Sequence, residues 1–78
     1  MYDVNELLKK AIEETQNLNE NELFLVKDLF KGYSWNRIQR KDRLLIGTLF
    51  LHYVNHNSDY LKAITKTSSK QQQYIKIK

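Results

Sequence analysis

Five lysines fall between Tyr60 and Lys78, at Lys62, Lys66, Lys70, Lys76 and Lys78, and no acid accompanies them. An ammonium on a flexible stem does one thing well in such an array: it meets a phosphate oxygen as a point charge and releases a counterion from a polyanion. A second cationic group, Arg37, Arg40, Lys41 and Arg43, is concentrated in mid-chain, diluted only by Asp42. Tyr33, Trp35, Tyr60 and Tyr74 lie near these clusters and offer flat rings on which a planar ligand could stack. Tyr33 and Tyr74 are the expected platforms, because tyrosine is stable half-buried with its hydroxyl wet, while Trp35 is expected in the core.

Other chemistries find less support. His52 and His56 are four residues apart and could share a helix face toward a metal, but no third ligand accompanies them, so they read as surface histidines. No nucleophile–base pair, glycine-rich phosphate loop or paired acid site is evident, and with no cysteine neither a disulfide framework nor the usual zinc cluster can form. The expectation is a protein without catalysis, cofactor, metal or small-molecule substrate. The charge is also segregated. Residues 1–25 carry six acids and two bases, net −4; residues 26–59 carry six bases and three acids, net +3; residues 60–78 carry +5. A polyanion-binding footprint is the functional reading of that asymmetry, and a solvated lysine-rich hairpin is the plain one.

The elements that must position these groups follow from periodicity. Asp3 with Glu6 forms a capping box, and Val4, Leu7, Leu8, Ala11 and Ile12 make one apolar face, which predicts a helix over 3–15. Leu23–Val26 suits a short buried strand, and 27–31 a short helix stopped by Gly32. Residues 33–39 read as a turn, with Trp35 and Ile38 inward. A long helix is predicted over 41–55, with Leu45, Ile46, Leu49, Phe50 and Tyr53 toward the core. Its polar stripe, Lys41, Thr48, His52 and Asn55, is only about 60° wide. Residues 60–67 and 73–78 read as a pair of strands. Leu61 and Ile64, three apart, cannot share a face of the first without a bulge.

Helix, strand, short helix, turn, long helix and hairpin is the order of an α+β winged helix-turn-helix: three helices, a small antiparallel sheet and a C-terminal β-hairpin wing, in a single domain over 1–78. No run approaches the ~18 apolar residues of a membrane span, and the N-terminus lacks a signal-peptide pattern, so a cytoplasmic protein is expected. The long helix lacks the Arg, Asn and Gln array that reads base edges in a duplex, which favours lysine contacts to the backbone and bases stacked on apolar or aromatic surface. A duplex-binding regulator and a protein–protein adaptor are the alternatives. For the adaptor, Leu44 and Leu51 straddle Gly47 and form a shallow apolar depression suited to a partner protein or a second copy.

The segments Phe24-Leu-Val-Lys-Asp-Leu-Phe30, Gly32-Tyr-Ser-Trp35 and Arg43-Leu-Leu-Ile-Gly-Thr-Leu-Phe50 resemble a family of small winged-helix proteins encoded beside replication genes on staphylococcal cassette chromosome mobile elements, first catalogued as a domain of unknown function. The resemblance covers roughly residues 22–78. It implies single-stranded DNA binding in the replication of a mobile genetic element, and it supplies no residue-level binding map.

Overall fold

The computed structural model of the protein describes residues 3–78, so the first two residues of the expected 1–78 domain lie outside the described part. The Asp3 carboxylate accepts from the Asn5 N–H at 2.8 Å and opens α1 (Val4–Glu14). That satisfies one of the amides a helix start leaves without a partner. Leu7 and Ala11, one turn apart, are its buried pair, with Val4, Leu8 and Ile12 packed around them. The helix tightens into a 3₁₀ turn at Thr15–Asn17. There the buried Thr15 hydroxyl donates to the Ile12 carbonyl, and with that proton committed it accepts from the Tyr60 hydroxyl at 2.9 Å.

Only Leu23–Phe24 extend as a strand, β1. The chain then coils, because Asp28 binds Leu25 twice: its N–H donates to the Leu25 carbonyl and its carboxylate accepts from the Leu25 N–H. Val26–Leu29 becomes a 3₁₀ turn that buries Val26 and Leu29, three residues apart as that geometry requires. Gly32, expected to stop a helix over 27–31, instead begins α2 (Gly32–Arg37). The expected turn over 33–39 is therefore mostly helical.

The third helix, α3 (Arg40–Asn57), buries Ile46, Phe50 and Val54, a line with a spacing of four. Asp42 sits in its first turn, with Gln39 as the capping residue. Leu45, expected in the core, is exposed, while Leu49, Leu51 and Tyr53 are half-buried. Between Leu44 and Val54 the helix is apolar almost all round, with Thr48 and His52 the exceptions. With one core to fill, the line facing α1 and the sheet is buried and the rest is left at the surface.

Strands β2 (Leu61–Lys66) and β3 (Gln72–Lys76) form an antiparallel hairpin, and β1 adds to the outer side of β3, giving the order β1-β3-β2. Ala63 pairs with Tyr74 and Lys66 with Gln72, so two residues of β2 oppose one of β3. The irregularity falls at Ile64 and Thr65, the part of β2 whose register the Leu61–Ile64 spacing left open. The sheet also settles which face of β3 turns inward. Tyr74 stacks on Phe24, centroids 5.6 Å apart, and meets Phe50 edge-on at 5.0 Å. Once that large ring takes the core, Lys76 two residues on must follow it inward, and Ile77 is left exposed. Among the described residues, the result is an α+β fold of three α-helices and a three-stranded antiparallel sheet, with no helix long and apolar enough to cross a membrane.

Candidate nucleic-acid interface

The outer face of α3, the 3₁₀ turn before α2 and the end of the β2–β3 hairpin enclose a groove of about 350 Å³. Its apolar lining comes from Leu25, Val26, Trp35, Leu44, Gly47, Leu51 and the buried Tyr74. Lys27, Arg43, Lys66 and Lys70 line it as well, and no carboxylate belongs to the lining. A larger hollow of about 500 Å³ lies between α1 and α2, but Lys10 and Lys31 there are matched by Glu14 and Asp28, so it has no net preference for an anion.

Local structure explains how the groove cations are presented. The hairpin connection closes on itself: the Thr67 N–H donates to the Gln71 carbonyl, the Lys70 N–H to the Thr67 carbonyl, and the Gln71 N–H to the Thr67 hydroxyl. Lys70 is held at φ 65°, a left-handed conformation that glycine or asparagine adopts more readily. Lys66 lies just beyond the bulge, where β2 rejoins the ladder opposite Gln72, and its side chain is exposed. Lys27 follows from the 3₁₀ turn, where the neighbouring Asp28 carboxylate is already engaged by Leu25. Arg43 is more constrained. Its Nε donates to the Ile38 carbonyl at 2.9 Å, and its guanidinium lies 5.8 Å from the Trp35 ring centroid. It ties α2 to α3 while keeping a positive charge at the groove.

Gly47 has a separate effect. A methyl group built on it would meet nothing within 4 Å, so packing does not call for a glycine. In a helix interior, glycine is destabilising by about 1 kcal/mol relative to alanine. What it leaves is bare backbone on the groove floor between Leu44, which is 64% exposed, and Leu51.

The expected site residues divide accordingly. The structure brings Lys66, Lys70 and Arg43 together around the depression bordered by Leu44 and Leu51. Lys62 is exposed on β2, and Arg40 and Lys41 are exposed at the start of α3, outside the groove lining. Tyr33 is 55% exposed with the Arg37 guanidinium 5.1 Å from its centroid, so this platform carries its own cation. Lys78 pairs with Asp59 at 3.7 Å, an exposed contact of little energetic weight.

Two expected residues are corrected. Tyr74 is only 1% exposed, and burial pushes its hydroxyl pKa up to about 12; its ring belongs to the core and presents no stacking face. Lys76 is only 9% exposed, and its Nζ donates to the Leu18 carbonyl at 2.9 Å and the Gln16 carbonyl at 3.4 Å, so its charge is turned inward to close the 3₁₀ turn that follows α1. Tyr60 is likewise occupied, its hydroxyl bound to Thr15. Lys27 and Leu25, which are not among the expected site residues, join the site because the strand ends at Phe24. The signal was Asp28, three residues after Leu25, a spacing that favours a local turn over continued strand.

Residues 9–76 match the model of a family described as Domain of unknown function (DUF1413). No curated protein matches the chain. Among solved structures, the one named "SCCmec type IV LP1413 - nucleic acids binding protein" is similar with a TM-score of 0.73 and 17% identity, over 96% of this chain and 94% of that chain. A likeness at that identity shows a shared fold.

Proposed function

The chain belongs to the DUF1413 family, and we propose that it binds nucleic acid through the α3–hairpin groove, preferring single strands to duplex and reading little of their sequence. One observation carries this reading: an apolar floor lined by four cations and no carboxylate. Cations along a hairpin and a helix neutralise successive phosphates, while an apolar surface favours bases that are not stacked within a duplex. In this reading the fold works as a winged helix with the hairpin as the wing, and the protein is a binding module without catalysis. The name of the structural neighbour supports the nucleic-acid part of this reading.

The polar part of α3 argues against readout of duplex sequence. The Thr48 hydroxyl donates back to the Leu44 carbonyl at 3.1 Å, and the His52 and His56 rings lie 4.4 Å apart, tilted by 39°. Neither arrangement presents the bidentate donor–acceptor pairs that discriminate bases in a major groove. The further proposal, that the chain handles single strands during replication of a mobile element, rests on the sequence resemblance; the neighbour's name adds nucleic-acid binding alone.

The test is competition. A labelled single strand bound to the protein is challenged with unlabelled single strand or duplex of equal length, at about 50 and 200 mM salt. The single strand should displace the label at lower concentration, and affinity should fall steeply between the two salts. Equal or better displacement by duplex would favour the regulator reading.

A further inference from the structure

We infer that the floor of the groove at Gly47 is a slot for one unstacked base of a bound strand, an inference that rests on the nucleic-acid reading above and gives it a specific contact. Gly47 lies inside the 18-residue helix α3. It has no positive φ, so the backbone does not require glycine, and a methyl group there would touch nothing, so packing does not require it either. The effect of the missing side chain is to keep the groove open where it is lined by Leu44, Leu51 and Leu25.

The occupant must be flat or narrow, largely apolar, and attached to something anionic. The floor offers aliphatic carbon, and Lys27, Arg43, Lys66 and Lys70 stand around it. A base on its sugar–phosphate chain meets all three requirements, and in a duplex the same base would be held in the stack. A second copy of this chain fits less well, because its equivalent face would bring the same four positive charges. The hairpin also offers a donor–acceptor group for a base edge. The Gln72 amide is committed to the Ile64 and Gln73 carbonyls, whereas the exposed Gln71 side chain lines the groove with no hydrogen bond among the described residues.

The experiment compares a thymidine strand with an abasic strand of equal length and equal phosphate number, by fluorescence anisotropy. Base–surface contacts should make the wild-type protein bind the thymidine strand about tenfold more tightly. Gly47→Leu fills the slot and should bring the ratio close to one by weakening the thymidine strand, while Lys9→Ala on α1 keeps the wild-type ratio. A thermal melt accompanies each variant. Should Gly47→Leu fail to fold, Gly47→Ala decides: it adds one methyl group in open space, and the ratio should fall by at least half. A folded Gly47→Leu that keeps the full ratio overturns the slot. So does an unchanged ratio in Gly47→Ala, or a wild-type ratio near one with both strands bound, which would leave the nucleic-acid reading standing. Binding of neither strand overturns both. A wild-type self-association abolished by Gly47→Leu, with no base preference, would assign the groove to a second copy.

Discussion

Replacing Lys76 by methionine separates the structural lysine from the ligand-facing ones. Methionine keeps an unbranched stem of similar length for the packing around β3, so the main loss is the ammonium and its bonds to the carbonyls of Leu18 and Gln16. The bond at 2.9 Å dominates, since the one at 3.4 Å is near the limit of useful contact. A hydrogen bond to a charged group contributes about 1.5–3 kcal/mol. In a domain of this size each kcal/mol shifts the melting temperature by roughly 4–8 °C, so Lys76→Met should melt roughly 6–24 °C lower. Calorimetry or circular dichroism measures that fall. The companion measurement is the dependence of strand affinity on salt, taken well below the melting transition. Because the ammonium is turned inward, the slope of log K against log salt should match the wild type. A melting temperature within about 2 °C of wild type, together with a slope reduced by about 0.7 as for one lost phosphate contact, would refute the reasoning and return Lys76 to the binding surface.

Two further outcomes follow from the same geometry. Lys66→Ala combined with Lys70→Gly should lower the salt slope by about 1.4 without lowering the melting temperature, since both side chains are exposed and glycine relieves the left-handed backbone at residue 70; an unchanged slope would remove the hairpin end from the interface. Tyr74 has its pKa raised by burial from 10.0 to about 12, so its contribution to stability is complete below pH 10 and is lost as the pH rises through 10 to 12, where the unfolded chain ionises first. Tyr74→Phe should therefore lose less stability than wild type across that window in alkaline melts, and parallel losses would show that the hydroxyl titrates normally.

The order of elements was legible from periodicity because α1, α3 and the hairpin are long enough to repeat their patterns. Asp3, Leu7 and Ala11 mark α1, and Ile46 and Phe50 mark the inner side of α3. The segment between Leu23 and Arg37 was harder to read, because Val26 and Leu29 fit several short structures equally well and the Asp28–Leu25 bonds decide among them. The inward face of β3 was misread for a different reason. Tyr74-Ile75-Lys76-Ile77-Lys78 alternates perfectly, but alternation does not say which set is buried. Composition favours the isoleucines; the edge-on Phe24–Phe50 pair favours the tyrosine, whose ring packs on both, and that pair is brought together only in three dimensions. The cationic character of the site was evident from the chain, whereas its location was not. Lys27, Arg43, Lys66 and Lys70 come from three separate segments, and no spacing rule connects them.

The sheet order β1-β3-β2 has a consequence for how the protein is made. Its middle strand, Gln72–Lys76, is synthesised after both neighbours, and among the described residues β1 pairs with no other strand. While the chain grows on the ribosome, Leu23 and Phe24 must wait for about fifty residues before their partners Ile75 and Tyr74 emerge. The helices can form earlier, but the aromatic cluster cannot close. A nascent chain interrupted before residue 72 therefore displays Phe24 and Phe50 without the ring that packs on both, an open surface for chaperones and proteases. Closure of the aromatic cluster therefore requires β3, and the hairpin that carries Lys66 and Lys70 is secured in the same step.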